Sequence, residues 1–121
     1  VFAVNTPIQL AMAEFLKDEK NIYSLPKFYQ AKRDLFSSLL IHSQFKLRKC
    51  DGTYFQLLDY SNISEKNDIE FSEYLTKEIG VAVIPLSPFY KRGSHNKLIR
   101  VCFAKGEDVL KQAAIKLVEC K

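Results

Sequence analysis

The sequence predicts an α+β fold: a small, mostly antiparallel sheet packed with helices and preceded by two helices. Three observations predict it. Apolar residues recur at helical spacing in four stretches and alternate in twos in the stretches between them. The elements then run helix, helix, strand, strand, helix, strand, strand, helix, a mixture that places helices on one side of a small sheet. Finally, 121 residues, 47% hydrophobic and 26% charged, are enough for one domain with a real core. We therefore read residues 1–121 as a single domain, with no repeat, no low-complexity segment and no internal linker.

Thr6-Pro7-Ile8-Gln9 is a helix start. Thr6 can cap, Pro7 suits the first turn, and Gln9 can return a bond to the cap. The spacing continues to about Lys17–Lys20. Asn21 to Ser24 reads as a short connection, with Ser24 as a second cap and Pro26 in the following first turn. The second helix carries Phe28, Leu35, Phe36, Leu39 and Leu40 on one broad face. Phe45 to Cys50 alternates as a strand, Asp51-Gly52 signals a tight turn, and Thr53 to Tyr60 returns as a second strand with Tyr54 and Phe55 on opposite faces.

Asn67 with Glu70 three residues on resembles a capping box for a helix over Asp68–Ile79, stopped by Gly80. Val81 to Pro85 is a short apolar run that reads as a buried strand. Ser87 to Tyr90 is irregular and aromatic, and Lys91 to Asn96 is a polar loop. Gly106 to Cys120 reads as the last helix, with Glu107 and Asp108 suited to its first turn and Leu110, Ala113, Ala114, Leu117 and Val118 facing inward.

Composition narrows the function. No apolar run is long enough to span a bilayer. The net charge of +4 is modest, and no basic stripe with interleaved aromatics suggests nucleic-acid binding. The cysteines, Cys50, Cys102 and Cys120, are odd in number and form no Cys-x-x-Cys pair, which fits a reducing, cytoplasmic setting and argues against a disulfide frame or a zinc site. His42 and His95 are isolated, so no metal site is expected. Carboxylate pairs such as Glu65 with Asp68 read as solvated. There is no nucleophile elbow and no glycine-rich phosphate loop. The opening Val1-Phe2-Ala3-Val4 does not look like a signal peptide and suggests a piece of something longer.

One feature stands out, in the strand Lys97 to Lys105. Ile99, Val101 and Phe103 share one face; Leu98, Arg100, Cys102 and Ala104 share the other. Arg100 has only apolar or small neighbours on its face and no acid within the strand. A guanidinium among apolar groups is costly unless something anionic meets its fork of donors. That anion is either a carboxylate from elsewhere in the chain or the carboxylate of a ligand; otherwise the strand lies at an edge and Arg100 reaches water. Two aromatic stretches, Tyr54-Phe55 and Phe89-Tyr90, fall near it in the expected fold.

Four motifs carry a family resemblance: Val4-Asn5-Thr6-Pro7-Ile8-Gln9, Gly52-Thr53-Tyr54-Phe55, Gly80 to Ser87, and Leu98 to Lys105. In order and spacing they resemble the C-terminal part of pyridoxal-phosphate-dependent aminotransferases of classes I and II, nearest the methionine aminotransferase and kynurenine/glutamine transaminase branch. The resemblance implies the small domain of a fold-type-I enzyme that moves an amino group between a methionine-like or aromatic amino acid and a 2-oxo acid. It implies that Arg100 grips the substrate α-carboxylate and that Tyr54 lies near the substrate side chain. It implies that Phe2 and Ala3 approach the neighbouring subunit's site in a homodimer. Ala3 replaces the bulkier residue common in the kynurenine branch, which leaves methionine-like substrates plausible.

The family's Schiff-base lysine falls upstream of the first motif, and no lysine here sits in a matching motif. The fragment alone is therefore expected to be inactive and not to hold pyridoxal 5'-phosphate firmly. The competing expectation is a free-standing α+β module that binds or senses a small carboxylate.

Overall fold

The computed structural model describes residues 3–91 and 96–120. The first helix, α1 (Thr6–Phe15), is capped by Asn5, whose side chain accepts the Ile8 N–H at 3.2 Å. Thr6, the expected cap, instead begins the helix. Asn caps at least as well as Thr, and the shift puts Pro7 where its missing N–H leaves no donor unpaired. The Gln9 side chain donates to the Val4 carbonyl rather than back to the cap. The helix stops short of Lys17, and the Asn21 side chain donates to the Phe15 carbonyl at 2.8 Å beyond its end. No residue of α1 is buried.

Where a connection was expected the chain makes a further helical turn, α2 (Lys20–Tyr23), and runs into α3 (Leu25–Leu39). Ser24 makes no side-chain cap, because its own backbone is helical and the two segments join without a break. Phe36 and Leu40 are buried as expected, but Phe28 lies 52% exposed. Its ring meets the edge of Tyr29 and the Lys32 ammonium instead of the core.

The sheet among the described residues has four strands, β1 (Lys46–Leu47), β2 (Phe55–Asp59), β3 (Ile84–Pro85) and β4 (Leu98–Cys102), in the order β1-β2-β4-β3. All its pairings are antiparallel. The fold class expected from sequence is therefore what forms. Between β1 and β2 the chain leaves the ladder after Arg48, whose N–H still donates to Leu57, and turns through residues 49–54. Thr53, not Gly52, takes the left-handed conformation, at φ 64°. That is a strained choice for a β-branched residue. Tyr54 and Phe55 do not diverge as expected: their ring centroids are 4.6 Å apart.

The capping box at Asn67 and Glu70 forms as read, with both reciprocal bonds, and starts α4 (Asp68–Tyr74). Leu75–Ile79 continues it as one π-helical turn. Gly80 ends it at φ 75°, a left-handed stop that favours glycine. The following run is an edge strand rather than a buried one: only Ile84 and Pro85 pair, with β4, and Ile84 is exposed. Pro85 cannot donate to a ladder, which suits an edge. The last helix, α5 (Glu107–Glu119), buries Leu110, Ala114 and Leu117.

These elements give the sheet two unlike faces. Leu58, Ile99 and Val101 join Phe36, Phe71, Leu75, Leu110 and Leu117 in one core, so α3, α4 and α5 cover that side. Burying each such side chain stabilises by roughly 1.5–3 kcal/mol. The alternate residues, Phe55, Leu57, Leu98, Arg100 and Cys102, are only half-buried and lie outside that core.

Candidate functional site

Arg100 sits on the half-buried face of β4, a central strand, opposite Leu57 of β2 and Ile84 of β3. It is not an edge residue reaching freely into water. Its Nε is buried and has no hydrogen-bond partner. Among the described residues no ion pair reaches its guanidinium. Instead the Cζ lies over the Phe55 ring at 4.2 Å and over the Phe89 ring at 5.1 Å from the centroids. Two π faces favour the cation but offer it no hydrogen-bond acceptor geometry comparable with a carboxylate's.

An acid does stand on the same face. Registers Leu57↔Arg100 and Asp59↔Leu98 place Asp59 one diagonal position from Arg100. Its carboxylate is already engaged, by the Arg48 guanidinium at 2.7 Å and the Ser61 N–H at 3.0 Å. Burial alone would raise its pKa, but the Ser61 N–H and hydroxyl, then Arg48 and Lys46, together hold it below the ordinary value. Arg48 thus occupies the one acid that the sheet's register brings near, and Arg100 keeps an open fork.

The two ring partners reach Arg100 by different routes. Phe55 is two residues from Leu57 on β2, so the period of the strand puts it on Arg100's face. Phe89 belongs to a single 3₁₀ turn, Ser87–Phe89, that follows β3. That turn is held from below by Asp68, only 4% exposed, whose Oδ2 accepts the Leu86 N–H at 2.7 Å and the Ser87 N–H at 2.6 Å. The sequence reading took Asp68 for a solvated loop carboxylate. The structure corrects this: as the first residue of α4 it points inward, and its partners lie eighteen and nineteen residues on, beyond the reach of local pattern.

Tyr54 is 44% exposed. Its ring lies beside Phe55 and 5.9 Å from Tyr29, and its carbonyl accepts the Phe103 N–H at 2.9 Å. It reaches Arg100 only through Phe55. It also lines a cleft of about 560 Å³ with Leu25, Pro26, Tyr29 and Phe103, whose lining does not include Arg100. Ala3 is exposed; Phe2 and His95 lie outside the described residues. The described residues contain no metal-holding cluster of His, Cys, Asp or Glu, and no helix long and apolar enough to cross a membrane.

A small antiparallel sheet, helices on one face, and an arginine without an acid partner on the other define an α+β domain. Its relatives give that class a family. The profile of the family "Aminotransferase class I and II" matches residues 1–117, and the chain belongs to that family. The methionine aminotransferase of Escherichia coli (strain K12) is 50% identical over 117 residues, covering 96% of this chain and 30% of that protein. Kynurenine--oxoglutarate transaminase 3 of Rattus norvegicus is 32% identical over 133 residues, covering 93% and 29%. The crystal structure of YbdL from Escherichia coli, described as having a methionine aminotransferase function, superposes with a TM-score of 0.92 at 48% identity over 98% of this chain and 31% of that one. The chain therefore spans about 30% of the length of the relatives it matches. The family resemblance carried by the four motifs is borne out.

Proposed function

We propose that these residues are the carboxylate-recognising, C-terminal domain of an aminotransferase that moves an amino group between an amino acid and a 2-oxo acid. Arg100 grips the substrate α-carboxylate. The observation that carries this reading is the unpartnered, buried Nε of a guanidinium laid over Phe55 and Phe89. A planar fork with free donors matches the two oxygens of a carboxylate, and desolvation strengthens the pair. The coverage of the relatives favours part of such an enzyme over a free-standing binding module. The likeness to methionine aminotransferase and the small Ala3 favour a methionine-like or aromatic side chain on the substrate, with Tyr54 beside it. The enzyme is read as a cytoplasmic homodimer, with Phe2 and Ala3 lining the site of the partner subunit.

Pyridoxal 5'-phosphate is the cofactor the family implies, and it supplies the electron sink that makes amino-group transfer possible. The residues described here fit the substrate's acid group and not the cofactor. Lys32, for instance, donates its ammonium to the Lys105 carbonyl, and Lys97 donates to the carbonyls of Ser64, Glu65 and Lys66. What this chain does is bind and orient: it fixes the acid end of the substrate so that the α-carbon is presented in one pose.

Arg100→Lys in the full-length enzyme tests the assignment. Lysine keeps the charge but loses the fork and the flat contact with two rings. The KM for amino acids should rise about tenfold or more while expression and fold are retained. An unchanged KM would remove Arg100 from the site.

A further inference from the structure

We infer that Asp68 is a positioning residue for the carboxylate grip, acting through the Ser87–Phe89 turn; this rests on the reading of Arg100 given above. Asp68 is the only buried acid whose oxygen bridges two consecutive backbone N–H groups among the described hydrogen bonds. Those two groups, of Leu86 and Ser87, open the turn that carries Phe89. Apart from those bonds Phe89 is held only by the turn's own backbone, its N–H donating to the Leu86 carbonyl at 3.0 Å and the Tyr90 N–H to the Ser87 carbonyl at 3.1 Å; it is 63% exposed, and Pro88 beside it has no N–H to add. Its ring nevertheless lies over the Arg100 guanidinium. The chain of contact therefore runs from one buried carboxylate to two amides, to one exposed ring, to the open fork.

The device has a physical purpose. An arginine with no partner has several rotamers within reach, and holding it in one costs entropy each time a ligand binds. Phe55 fixes the guanidinium from the rigid sheet. Phe89 can do so from the other contact only if its turn is fixed, and Asp68 fixes it. A charged acceptor on two N–H donors is stronger than the neutral bonds such a turn makes for itself. Loosening the turn leaves the charge of Arg100 in place and blurs its direction, so recognition of a carboxylate should suffer more than recognition of a neutral isostere.

The test uses the full-length enzyme and two ligands that cannot react because they lack an amino group: 4-methylpentanoate and its amide, 4-methylpentanamide. Calorimetric Kd values give an acid-over-amide preference for each protein. Asp68→Ala should lower that preference about tenfold, and Asp68→Asn, which keeps one accepting oxygen, by about two- to threefold. Arg100→Leu should abolish it. If Asp68→Ala does not fold, Asp68→Asn carries the test alone. A preference unchanged in the Asp68 variants, with Arg100→Leu abolishing it, overturns the role given to Asp68 and leaves the grip standing. A preference that survives Arg100→Leu overturns the grip itself. Equal losses of acid and amide binding in the Asp68 variants mark a merely structural residue and also overturn the inference.

Discussion

Replacing Arg100 by leucine should change the stability of the unliganded protein little, while removing its response to carboxylates. The buried, unpartnered Nε carries an unrelieved desolvation penalty of about 1–3 kcal/mol. Against it stand two cation–π contacts, at 4.2 Å and 5.1 Å, one of them to the largely exposed Phe89. Together they return about 1–2 kcal/mol. Leucine removes both terms and keeps an apolar side chain opposite Leu57 and Ile84, where cross-strand packing favours it. The net change should fall between about 1 kcal/mol of lost and about 2 kcal/mol of added stability.

Binding should move the other way. Two charge-assisted hydrogen bonds to a carboxylate contribute about 3 kcal/mol or more, so affinity should fall over a hundredfold. A thermal melt of the full-length protein, with and without saturating 4-methylpentanoate, reads both effects. The wild type should melt higher with the acid present, because the ligand binds the folded state. Arg100→Leu should melt no more than a few degrees below the unliganded wild type and show no acid-dependent shift. A variant that is destabilised by more than about 1 kcal/mol yet still responds to the acid would refute the reasoning, since Arg100 would then be a structural residue.

Two further outcomes concern the frame around the site. Asp59 has a folded-state pKa below its ordinary value, so its stabilising contribution is complete above the unfolded carboxylate range, about pH 4, and is lost as pH falls through the depressed value. Asp59→Asn should therefore melt lower than wild type at pH 7, and the gap should close at low pH; a gap constant from pH 7 to pH 2 would contradict this. Gly80→Ala should cost about 1 kcal/mol because its φ is 75°, not because a Cβ would stand 2.9 Å from the Lys116 ammonium. Urea melts of Gly80→Ala with and without Lys116→Ala check this, and recovery of stability in the double variant would show that the contact was the cause.

How far the sequence reached follows from the range of each interaction. Elements set by neighbours a few residues apart were legible: the capping box at Asn67 and Glu70, the Gly80 stop, the inward face of α5, and Arg100 on a strand without acids of its own. Features set by competition between neighbours were displaced by a residue or a turn. Asn5 outcompetes Thr6 as the cap, and Thr53 takes the left-handed position beside an available glycine. Features set by contacts across the chain were not legible at all. Nothing local announces that Asp68 will bridge the amides of Leu86 and Ser87, or that Arg48 will occupy Asp59.

That last pair explains why the arginine stays open. Register brings one acid to its face, and a second arginine, Arg48 just past the end of β1, occupies it. Had Arg48 been neutral, Asp59 would be the nearest negative charge available to Arg100, and an internal ion pair would compete with every incoming carboxylate. A sheet selected for stability alone would gain little from an arginine at position 100 over a leucine. The aromatic shelves of Phe55 and Phe89 lower the cost of a waiting cation without satisfying its donors. An arginine so placed is stabilised enough to remain while its donors stay unsatisfied.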